Sequence, residues 1–319
     1  MNDRLDSVEK LIRLKLKSDV ELIKEMSDHH LDSGGKRIRA LLTMGAAKLG
    51  GYNQGSRDVN LAACVELIHS ATLLHDDVID ESKLRRGAKT TNSIWGNQSS
   101  VLVGDYLLSR CFEMMVEDGD LEILKLLSST SSKIAQGEVL QLTYKGEADL
   151  LEENYIKIIS LKTAALFSAA TRVGACISGL DKKKKEALES YGKNIGLAFQ
   201  IADDALDYFS KENIFGKEIG KDFFESKVTL PIIIVFQKAN PIERTFLKTL
   251  FKKEVKDKED FNSVLRLIKK YNALEATFKR AEYFVNVSVS YTHLRAHETR
   301  EDRGCGGVGV KKKGGGGGG

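Results

Sequence analysis

Residues 59–81 read VNLAACVELIHSATLLHDDVIDE, a long apolar run that ends in the motif DDxxD. The same motif recurs in FQIADDALDY at residues 199–208, again among apolar residues. In both stretches the apolar residues recur with the period of an α-helix rather than that of a strand. The sequence therefore predicts two long helices, each carrying an acidic box near its C-terminal end.

The spacing of these boxes places carboxylates above one another. Residues i and i+4 share a helix face, so Asp76 stacks with Asp80. Asp203 stacks with Asp207 in the same way. Such carboxylates repel one another unless a cation lies between them, and Mg2+ takes oxygen ligands from carboxylates, phosphates and water. The boxes therefore predict a magnesium site that grips a diphosphate. The six candidate metal ligands are Asp76, Asp77, Asp80, Asp203, Asp204 and Asp207.

A single acidic box is also compatible with an exposed, solvated helix face. The surroundings of these boxes argue against that interpretation. Leu74 and Val78 flank the first box, and Ile201 and Ala205 flank the second. Carboxylates on otherwise buried helices cost several kcal/mol unless they are paired or bind a metal. Two copies in such surroundings favour a functional site.

The composition favours long helices around one large core. The chain has 319 residues, 42% of them hydrophobic, and only two prolines, which suits uninterrupted helices. No segment shows the alternation expected of strands. Together these features predict a single all-α bundle of about ten or more helices.

The same composition argues against several classes of protein. A net charge of +4 is too small to make nucleic-acid binding the default. No run approaches the ~20 apolar residues of a bilayer-spanning helix, and the charged start MNDRLDSVEK is unlike a secretory signal. The four scattered cysteines are typical of reduced thiols. We therefore expect a cytoplasmic protein with no nucleic-acid partner and at most peripheral membrane contact.

Breaks in the helical period give the expected boundaries. The predicted helices cover residues 3–29, a run from the break at 33–35 to about 49, then 59–81, 98–116, 121–144, 152–177 and 182–209, with shorter helices to about 287. The basic segment 83–89 and the segment 216–227 are predicted to be loops.

Residues 290–319 differ in composition from the rest of the chain. They lose the helical period and end in six glycines, so we predict a disordered tail that resembles translated vector sequence. His293 and His297 have the spacing of a metal-binding pair, but this context does not favour a metal site. The sequence thus predicts one domain over residues 1–289, shortened at its C-terminus, followed by a foreign-looking tail.

Basic residues occur where a diphosphate site needs them. Lys36 and Arg39 lie in GGKRIRA, at the predicted start of a helix, where free N–H groups and the helix dipole favour anions. Arg85 and Arg86 follow the first acidic box. His69 lies two turns before that box on a similar face, a position equally compatible with a core histidine. These residues predict a cradle for pyrophosphate.

The order of the motifs is specific. They read GGKRIR at 34–39, HDDVIDES at 75–82, LRRG at 84–87, KT at 162–163, FQIADDALDY at 199–208, GKEIGKD at 216–222 and KVTLP at 227–231. In this order they resemble the polyprenyl synthetase family, the trans-isoprenyl diphosphate synthases that include farnesyl, geranylgeranyl and octaprenyl diphosphate synthases. The resemblance is dense from about residue 33 to 227 and continues weakly to about 287. One departure is Ala40, where the family commonly has proline.

The resemblance implies a fold, a reaction and an assembly. The fold is a helical bundle of the isoprenoid synthase type around a central cavity, and the protein is expected to be a homodimer. The reaction is condensation of isopentenyl diphosphate onto an allylic diphosphate. The allylic diphosphate ionises, the isopentenyl double bond attacks the carbocation, and a proton is lost. Two or three Mg2+ ions are expected, held chiefly through Asp76, Asp80 and Asp203.

The resemblance also implies roles for individual residues. The positions that match the isopentenyl diphosphate site are Lys36, Arg39, His69 and Arg86. The positions that match the allylic diphosphate site are Arg85, Lys162, Thr163, Gln200, Lys217 and Lys227. The residues expected to take part in catalysis are Asp76, Asp80, Asp203 and Lys162.

Product length is expected to be set below the first box. Thr72 and Ala71 lie four and five residues before Asp76, about 6 to 7.5 Å deeper along the helix. Both are small, and in the family small residues at this depth permit long products. The string ATLLHDDVIDES with LRRG is most similar to the octaprenyl-type enzymes of quinone biosynthesis. The expected product has eight isoprene units, with seven to ten compatible.

Alternative functions stay open at this point. One is a shorter-chain farnesyl or geranylgeranyl diphosphate synthase. Another is a non-catalytic subunit of a heteromeric synthase, although such subunits typically lose an acidic box and both are intact here. A terpene cyclase is disfavoured, because Asp207 stands where its second metal box normally carries Ser or Thr, and because GGKR is present.

Overall fold

The computed structural model describes the backbone of residues 2–209 and 219–301, with side chains from residue 3 to 289 within these ranges. Helices make up nearly all of its regular structure, which confirms the predicted all-α fold. The helices are α1 (Asn2–Lys15), α2 (Glu21–Asp32), α3 (Ile38–Leu49), α4 (Arg57–Ile79), α5 (Thr91–Trp95), α6 (Asn97–Asp118), α7 (Leu121–Thr143), α8 (Glu152–Ile159), α9 (Ala165–Ile177), α10 (Lys182–Phe209), α11 (Lys221–Phe224), α12 (Leu230–Lys238), α13 (Pro241–Lys252), α14 (Lys258–Lys270) and α15 (Ala273–Glu301). A π-helical turn, Ser160–Ala164, joins α8 to α9.

The first helical stretch is two helices rather than the single helix predicted over residues 3–29. α1 ends at Lys15 and α2 begins at Glu21. In the break, the backbone N–H of Val20 donates to the hydroxyl of Ser18 at 3.1 Å. A serine hydroxyl competes in this way with the helical carbonyl as a partner for the backbone. The amphipathic pattern continues across this break, so periodicity does not reveal it.

The segment predicted as a basic loop contains a short hairpin. Strands β1 (Leu84–Arg85) and β2 (Ala88–Lys89) pair in antiparallel fashion. The turn residues Arg86 and Gly87 have φ angles of 53° and 82°, as the type I′ hairpin turn requires. The hairpin corrects the expectation that the chain has no strands, and it places two arginines directly after the first acidic box.

Two apolar clusters form the interior. One joins α1 to α4 with α6, α7 and α9. The other joins α8 and the π-helical turn to α10 and the helices that follow it. α9 and α10 pack against each other and so connect the clusters. The two acidic boxes are therefore carried by different clusters, the first on α4 and the second on α10.

Close packing of α10 depends on two glycines. A Cβ at Gly192 would lie 2.3 Å from the hydroxyl of Thr171. A Cβ at Gly196 would lie 2.7 Å from the Cα of Ala164, in the π-helical turn. Side chains at these positions would hold α10 away from its neighbours. Because Gly196 is two turns before the second box, this contact helps to set the position of the box relative to the π-helical turn.

Helical backbone continues past the boundary at which the sequence predicts disorder. α15 runs to Glu301, although the disordered tail is predicted to start at Ser290. Residues 291–301 contain no glycine or proline, so their local propensity permits a helix. The remainder of the tail lies outside the described residues, and the domain boundary remains a prediction. Among the helices of the described ranges, none has the length and apolarity needed to cross a bilayer.

Replacing Gly196 with alanine should destabilise the protein. The added Cβ would lie 2.7 Å from the backbone of Ala164, so α10 would have to shift. We expect a loss of roughly 1–3 kcal/mol in the free energy of unfolding, measured by urea denaturation.

The matched control is Gly45→Ala, in the middle of α3, where no atom of the described residues outside the adjoining backbone of the same helix lies within 4 Å of the new Cβ. Removing a helical glycine without a clash should stabilise the protein by about 0.5–1 kcal/mol. Equal effects of the two substitutions would show that close packing of α10 is not the cause.

Candidate functional site

The first acidic box lies at the C-terminal end of α4. Asp76 is in its last turn, and Asp80 is the residue that ends the helix. Burial raises the pKa of Asp76 to about 7, against the opposing charge of Lys162. Burial also acts to raise the pKa of Asp80, but the charge and hydrogen bond of Lys227 bring that pKa below its ordinary value. The two stacked carboxylates therefore differ in pKa, and Asp80 stays charged at a lower pH than Asp76.

Asp77, the middle aspartate of this box, forms an ion pair with Arg85. Its side chain is 3% exposed, and Arg85 Nη2 lies 2.8 Å from Oδ1 while Nε lies 3.1 Å from Oδ2. The carbonyl of Asp77 also accepts from the side-chain amide of Asn92 at 3.0 Å. A forked arginine–carboxylate pair of this kind fixes both groups in orientation. This geometry favours an anchoring role for Asp77 over direct metal ligation.

Asp204 is buried within the second box. Its Oδ2 accepts from the Tyr155 hydroxyl at 2.6 Å, and its Oδ1 accepts from the Gln200 amide at 2.7 Å. Gln200 Oε1 in turn accepts from the Thr163 hydroxyl at 2.7 Å. Burial raises the pKa of Asp204 to about 6, although both hydrogen bonds act to lower it. This chain of hydrogen bonds ties α8, the π-helical turn and α10 together.

The other two aspartates of the second box also differ from each other. Asp207 caps α11, because its Oδ1 and Oδ2 accept from the backbone N–H groups of Lys221 at 3.2 Å and Asp222 at 2.9 Å. A carboxylate at a helix start satisfies N–H groups that have no helical partner. Asp203 is the exposed member of the box. Of the three side chains, Asp203 is thus the one placed to meet a ligand directly.

Lys227 links the two boxes. Its Nζ lies 2.8 Å from Asp80 Oδ2 and 2.8 Å from Glu225 Oε2. Its backbone N–H donates to the carbonyl of Asp222 at 2.8 Å, and Asp222 is held by Asp207. Burial acts to lower the pKa of Lys227, but Asp80 and Glu225 raise it above its ordinary value. The two boxes are therefore joined by one network of ion pairs and hydrogen bonds.

Lys162 enters this network from the π-helical turn. Its Nζ contacts the Glu138 carboxylate at 2.7 Å and Gln141 Oε1 at 3.0 Å. Gly137 allows the approach, because a Cβ there would lie 2.6 Å from the backbone nitrogen of Lys162. Such π-helical turns often occur at functional sites. The turn brings the ammonium group close enough to act on the carboxylate of Asp76.

Six basic side chains form a second group, which we call the arginine cluster. Its members are His30, Arg37, Arg39, His69, Arg85 and Arg86. Burial, followed by the charge of Arg39, lowers the pKa of His69 well below its ordinary value. Burial and then Arg85 lower the pKa of His30 to about 3. Both imidazoles are therefore neutral at pH 7, and the positive charge resides on the arginines. Guanidinium groups gathered in this way suit the oxygens of a diphosphate.

The contacts of Arg86 leave little space at Gly34 and Gly35, which precede α3. Its guanidinium donates to the carbonyl of Gly34. A Cβ at Gly35 would lie 2.8 Å from Arg86 Nη1. Gly34 also has a φ of 71°, which a glycine adopts without strain. The two glycines thus let the hairpin approach the start of α3.

Four predicted residues remain to be placed: Lys36, Ala71, Thr72 and Lys217. Lys36 is exposed in the loop before α3. Ala71 is 2% exposed and packs in the first apolar cluster. Thr72 is half-buried, and its hydroxyl donates to the carbonyl of His69 at 2.7 Å. Lys217 lies outside the described residues.

The carboxylates fit a metal ion that is shared with a ligand. Within residues 3–209 and 219–289, no three His, Cys, Asp or Glu side chains lie close enough to hold an ion by themselves. Asp76 and Asp80 nevertheless offer oxygens from one helix and Asp203 from another. Mg2+ is commonly held by one or two carboxylates, with phosphate oxygens and water completing its shell. A diphosphate between the boxes would supply the missing ligands.

Sequence reasoning missed several residues of the site. Tyr155 and Glu138 carry no local signal, because their partners Asp204 and Lys162 are distant in the sequence. His30 lies in a helix that showed only an amphipathic pattern. Glu66 had a detectable signal, because a charged residue one turn before His69 on an otherwise apolar helix face calls for a partner.

Comparison with known proteins gives one consistent result. Residues 20–268 match the polyprenyl synthetase family. The chain is 40% identical over 268 residues to the octaprenyl diphosphate synthase of Escherichia coli, which covers 84% of this chain and 82% of that protein.

Solved structures agree with this match. A decaprenyl diphosphate synthase from Rhodobacter capsulatus superposes with a TM-score of 0.86 at 43% identity, covering 91% of this chain and 89% of that one. A polyprenyl synthase from Caulobacter crescentus, complexed with calcium and isoprenyl diphosphate, gives a TM-score of 0.88 at 42% identity, covering 92% of this chain and 89% of that one.

The pKa values of Asp76 and Asp80 are shifted in opposite directions, which predicts opposite effects of neutralising them on the melting temperature. Because the pKa of Asp76 is raised to about 7, its charged form is disfavoured in the folded protein, and stability is lost as the pH rises through that value. Asp76→Asn should therefore raise the melting temperature of the metal-free protein at pH 8, and raise it much less at pH 4.

Asp80→Asn is the matched control, with the opposite sign expected. Its lowered pKa means that the charged form contributes stability above the ordinary pKa of the carboxyl group. The substitution should lower the melting temperature at pH 8. A fall in melting temperature for both variants at pH 8 would contradict the assignment of unequal environments.

Proposed function

Because the chain belongs to the polyprenyl synthetase family, we propose that it is a long-chain trans-polyprenyl diphosphate synthase. It is a prenyltransferase that adds isopentenyl diphosphate head to tail onto an allylic diphosphate. The observation that supports this most directly is the network of ion pairs and hydrogen bonds that joins the two boxes. Lys227 pairs with Asp80 of the first box, and its segment is held by Asp207 of the second. Two unconnected acidic surfaces would not form a common diphosphate site.

The allylic diphosphate would bind between the two boxes. Asp76, Asp80 and Asp203 would hold two or three Mg2+ ions, which neutralise charge on the departing diphosphate when bound. Lys162 and Lys227 would contact the diphosphate oxygens directly. Their carboxylate partners orient both ammonium groups before the substrate arrives. Preorganised charge of this kind is a large contribution to catalysis in many enzymes.

Isopentenyl diphosphate would bind to members of the arginine cluster other than Arg85, which pairs with Asp77. Arg39 and Arg86 supply forked donors, and Lys36 adds an ammonium group at the exposed edge. His69 would bind as a neutral imidazole, because its pKa is lowered by burial and by Arg39. The isopentenyl double bond would then attack the allylic cation. The released diphosphate would accept the proton that is lost, so no protein base is needed.

Further properties of the protein follow as proposals from the same premise. We expect a product of eight isoprene units, within a range of seven to ten, that serves as the side-chain precursor of a respiratory quinone. We expect the protein to work in the cytoplasm as a homodimer, with membrane contact limited to product release.

The function is tested with isopentenyl and farnesyl diphosphates plus Mg2+. The purified protein should release long prenyl chains, sized after removal of the phosphates, and EDTA should abolish turnover. Asp76→Ala and Asp203→Ala should each lower turnover by at least about two orders of magnitude, because both remove a proposed metal ligand. Farnesyl- or geranylgeranyl-length products would instead support a shorter-chain synthase.

Glu275→Ala is the matched control for these variants. It removes a carboxylate that is 64% exposed and paired with Lys279 on α15 at 2.6 Å. Turnover should stay within twofold of the wild type. Near-normal turnover in Asp76→Ala, or a wild type that is inactive unless a second polypeptide is supplied, would argue for a different function.

Product length should respond to Thr72, which is half-buried and about one turn below Asp76. Thr72→Phe should shorten the product by several isoprene units, because the ring would block the path of the growing chain. Thr72→Val is the control, since it removes the hydrogen bond to the His69 carbonyl without adding bulk. Unchanged products from Thr72→Phe would place the floor of the pocket elsewhere.

A further inference from the structure

The start of α3 has a conformation that its sequence does not favour. Arg37 precedes the helix with φ of 46° and ψ of 41°. This left-handed region is rarely occupied by residues other than glycine, asparagine and aspartate. The side chain of Arg37 makes no capping hydrogen bond to the helix. Another group must therefore hold the backbone and the guanidinium in place.

Glu66 is that group. It lies on α4 beneath the start of α3 and is only 2% exposed. Its Oε1 accepts from the backbone N–H of Ala40 at 3.0 Å, one of the donors that a helix start leaves without a helical partner. Its Oε2 lies 3.6 Å from Nη1 of Arg37. A buried carboxylate at the positive end of a helix dipole is favourably placed. One side chain thus fixes both the helix start and the arginine before it.

Glu66 also acts on the other arginines of the cluster. Burial lowers the pKa of Arg39 to about 10, and the charge of Glu66 opposes that change. The charge of Glu66 likewise opposes the lowering of the pKa of Arg86. Arg39 lies with its guanidinium 4.6 Å from the ring centre of Phe167, and its buried Nε makes no hydrogen bond. Arg39 is therefore held in place by packing and by the nearby carboxylate.

We propose that Glu66 is a positioning residue of the isopentenyl diphosphate subsite, an inference that rests on the proposed function. Because it is buried, it does not touch the substrate and acts through Arg37 and Arg39. It orients Arg37 and the start of α3, and its negative charge offsets the mutual repulsion of the arginines before the diphosphate binds. Its loss should weaken binding of isopentenyl diphosphate and leave binding of the allylic diphosphate unchanged.

Glu66→Gln tests this role. The amide oxygen can still accept from the Ala40 N–H, but the negative charge is lost. We expect the KM for isopentenyl diphosphate to rise on the order of tenfold, with kcat and the KM for farnesyl diphosphate within twofold. Calorimetric titration with isopentenyl diphosphate alone should show the same loss of affinity without turnover. Glu66→Asp keeps the charge but retracts it from its partners, and it should raise this KM by a smaller factor.

Asp58→Asn is the matched control. Asp58 lies in the first turn of the same helix, is 5% exposed and pairs with Arg4 at 2.5 Å. It makes no contact with the arginine cluster in the part of the chain that the structure describes. Both substitutions should lower the melting temperature, but only Glu66→Gln should change the KM for isopentenyl diphosphate. A merely structural role would make the two variants alike.

The outcomes separate this inference from the proposed function. Equal rises in both KM values, or unchanged affinity for isopentenyl diphosphate, would overturn the role of Glu66. If Glu66→Gln does not fold, Glu66→Asp decides, and an unchanged KM in that variant overturns the role. If the wild type shows no turnover, the proposed function fails. The inference is then decided by whether inorganic diphosphate binds more weakly to the Glu66 variant than to the wild type.

Discussion

Repulsion between like charges in a poorly solvated interior is the constraint on which this structure depends. Carboxylates and guanidinium groups interact more strongly there than in water, and each is costly to bury without a partner. The chain offsets this cost with fixed pairs, such as Asp77 with Arg85 and Asp80 with Lys227. Burial raises the pKa of Asp76 to about 7, because the charge of Lys162 only partly offsets the cost of burying this carboxylate. A site whose charges were all paired internally would gain less from binding a cation.

The two boxes share one motif, but their aspartates have different partners in the folded protein. The second aspartate of each box is an anchor, bound by arginine in one case and by Tyr155 and Gln200 in the other. The fifth positions diverge, because Asp80 pairs with Lys227 whereas Asp207 caps α11. The fifth aspartate of the first box therefore faces a lysine side chain, whereas that of the second box holds a helix start. Spacing along a helix cannot reveal this asymmetry, since it arises from partners on other elements.

Periodicity predicted the long helices well and failed where tertiary contacts intervene. The helix expected over residues 182–209 is α10, Lys182–Phe209. The helix expected over 152–177 instead contains a π-helical turn at Ser160–Ala164, where the backbone of Lys162 meets Gly137. The acidic boxes were found because their members are close in sequence. Glu138 and Tyr155 were not, because their roles depend on residues brought near only by folding.

The two sides of the site differ in how rigidly they are held, and this follows from the kind of contact on each side. On the α10 side, Gly196 packs against the backbone of the π-helical turn, and Asp204 is fixed by short hydrogen bonds. Movement there requires a shift of packed helices, which dense interiors resist. On the α4 side, Asp80 is instead held by an ion pair with the Lys227 side chain, which Glu225 also contacts. Changing the Asp80–Lys227 ion pair therefore requires only side-chain movement, whereas moving Asp204 requires a shift of packed helices.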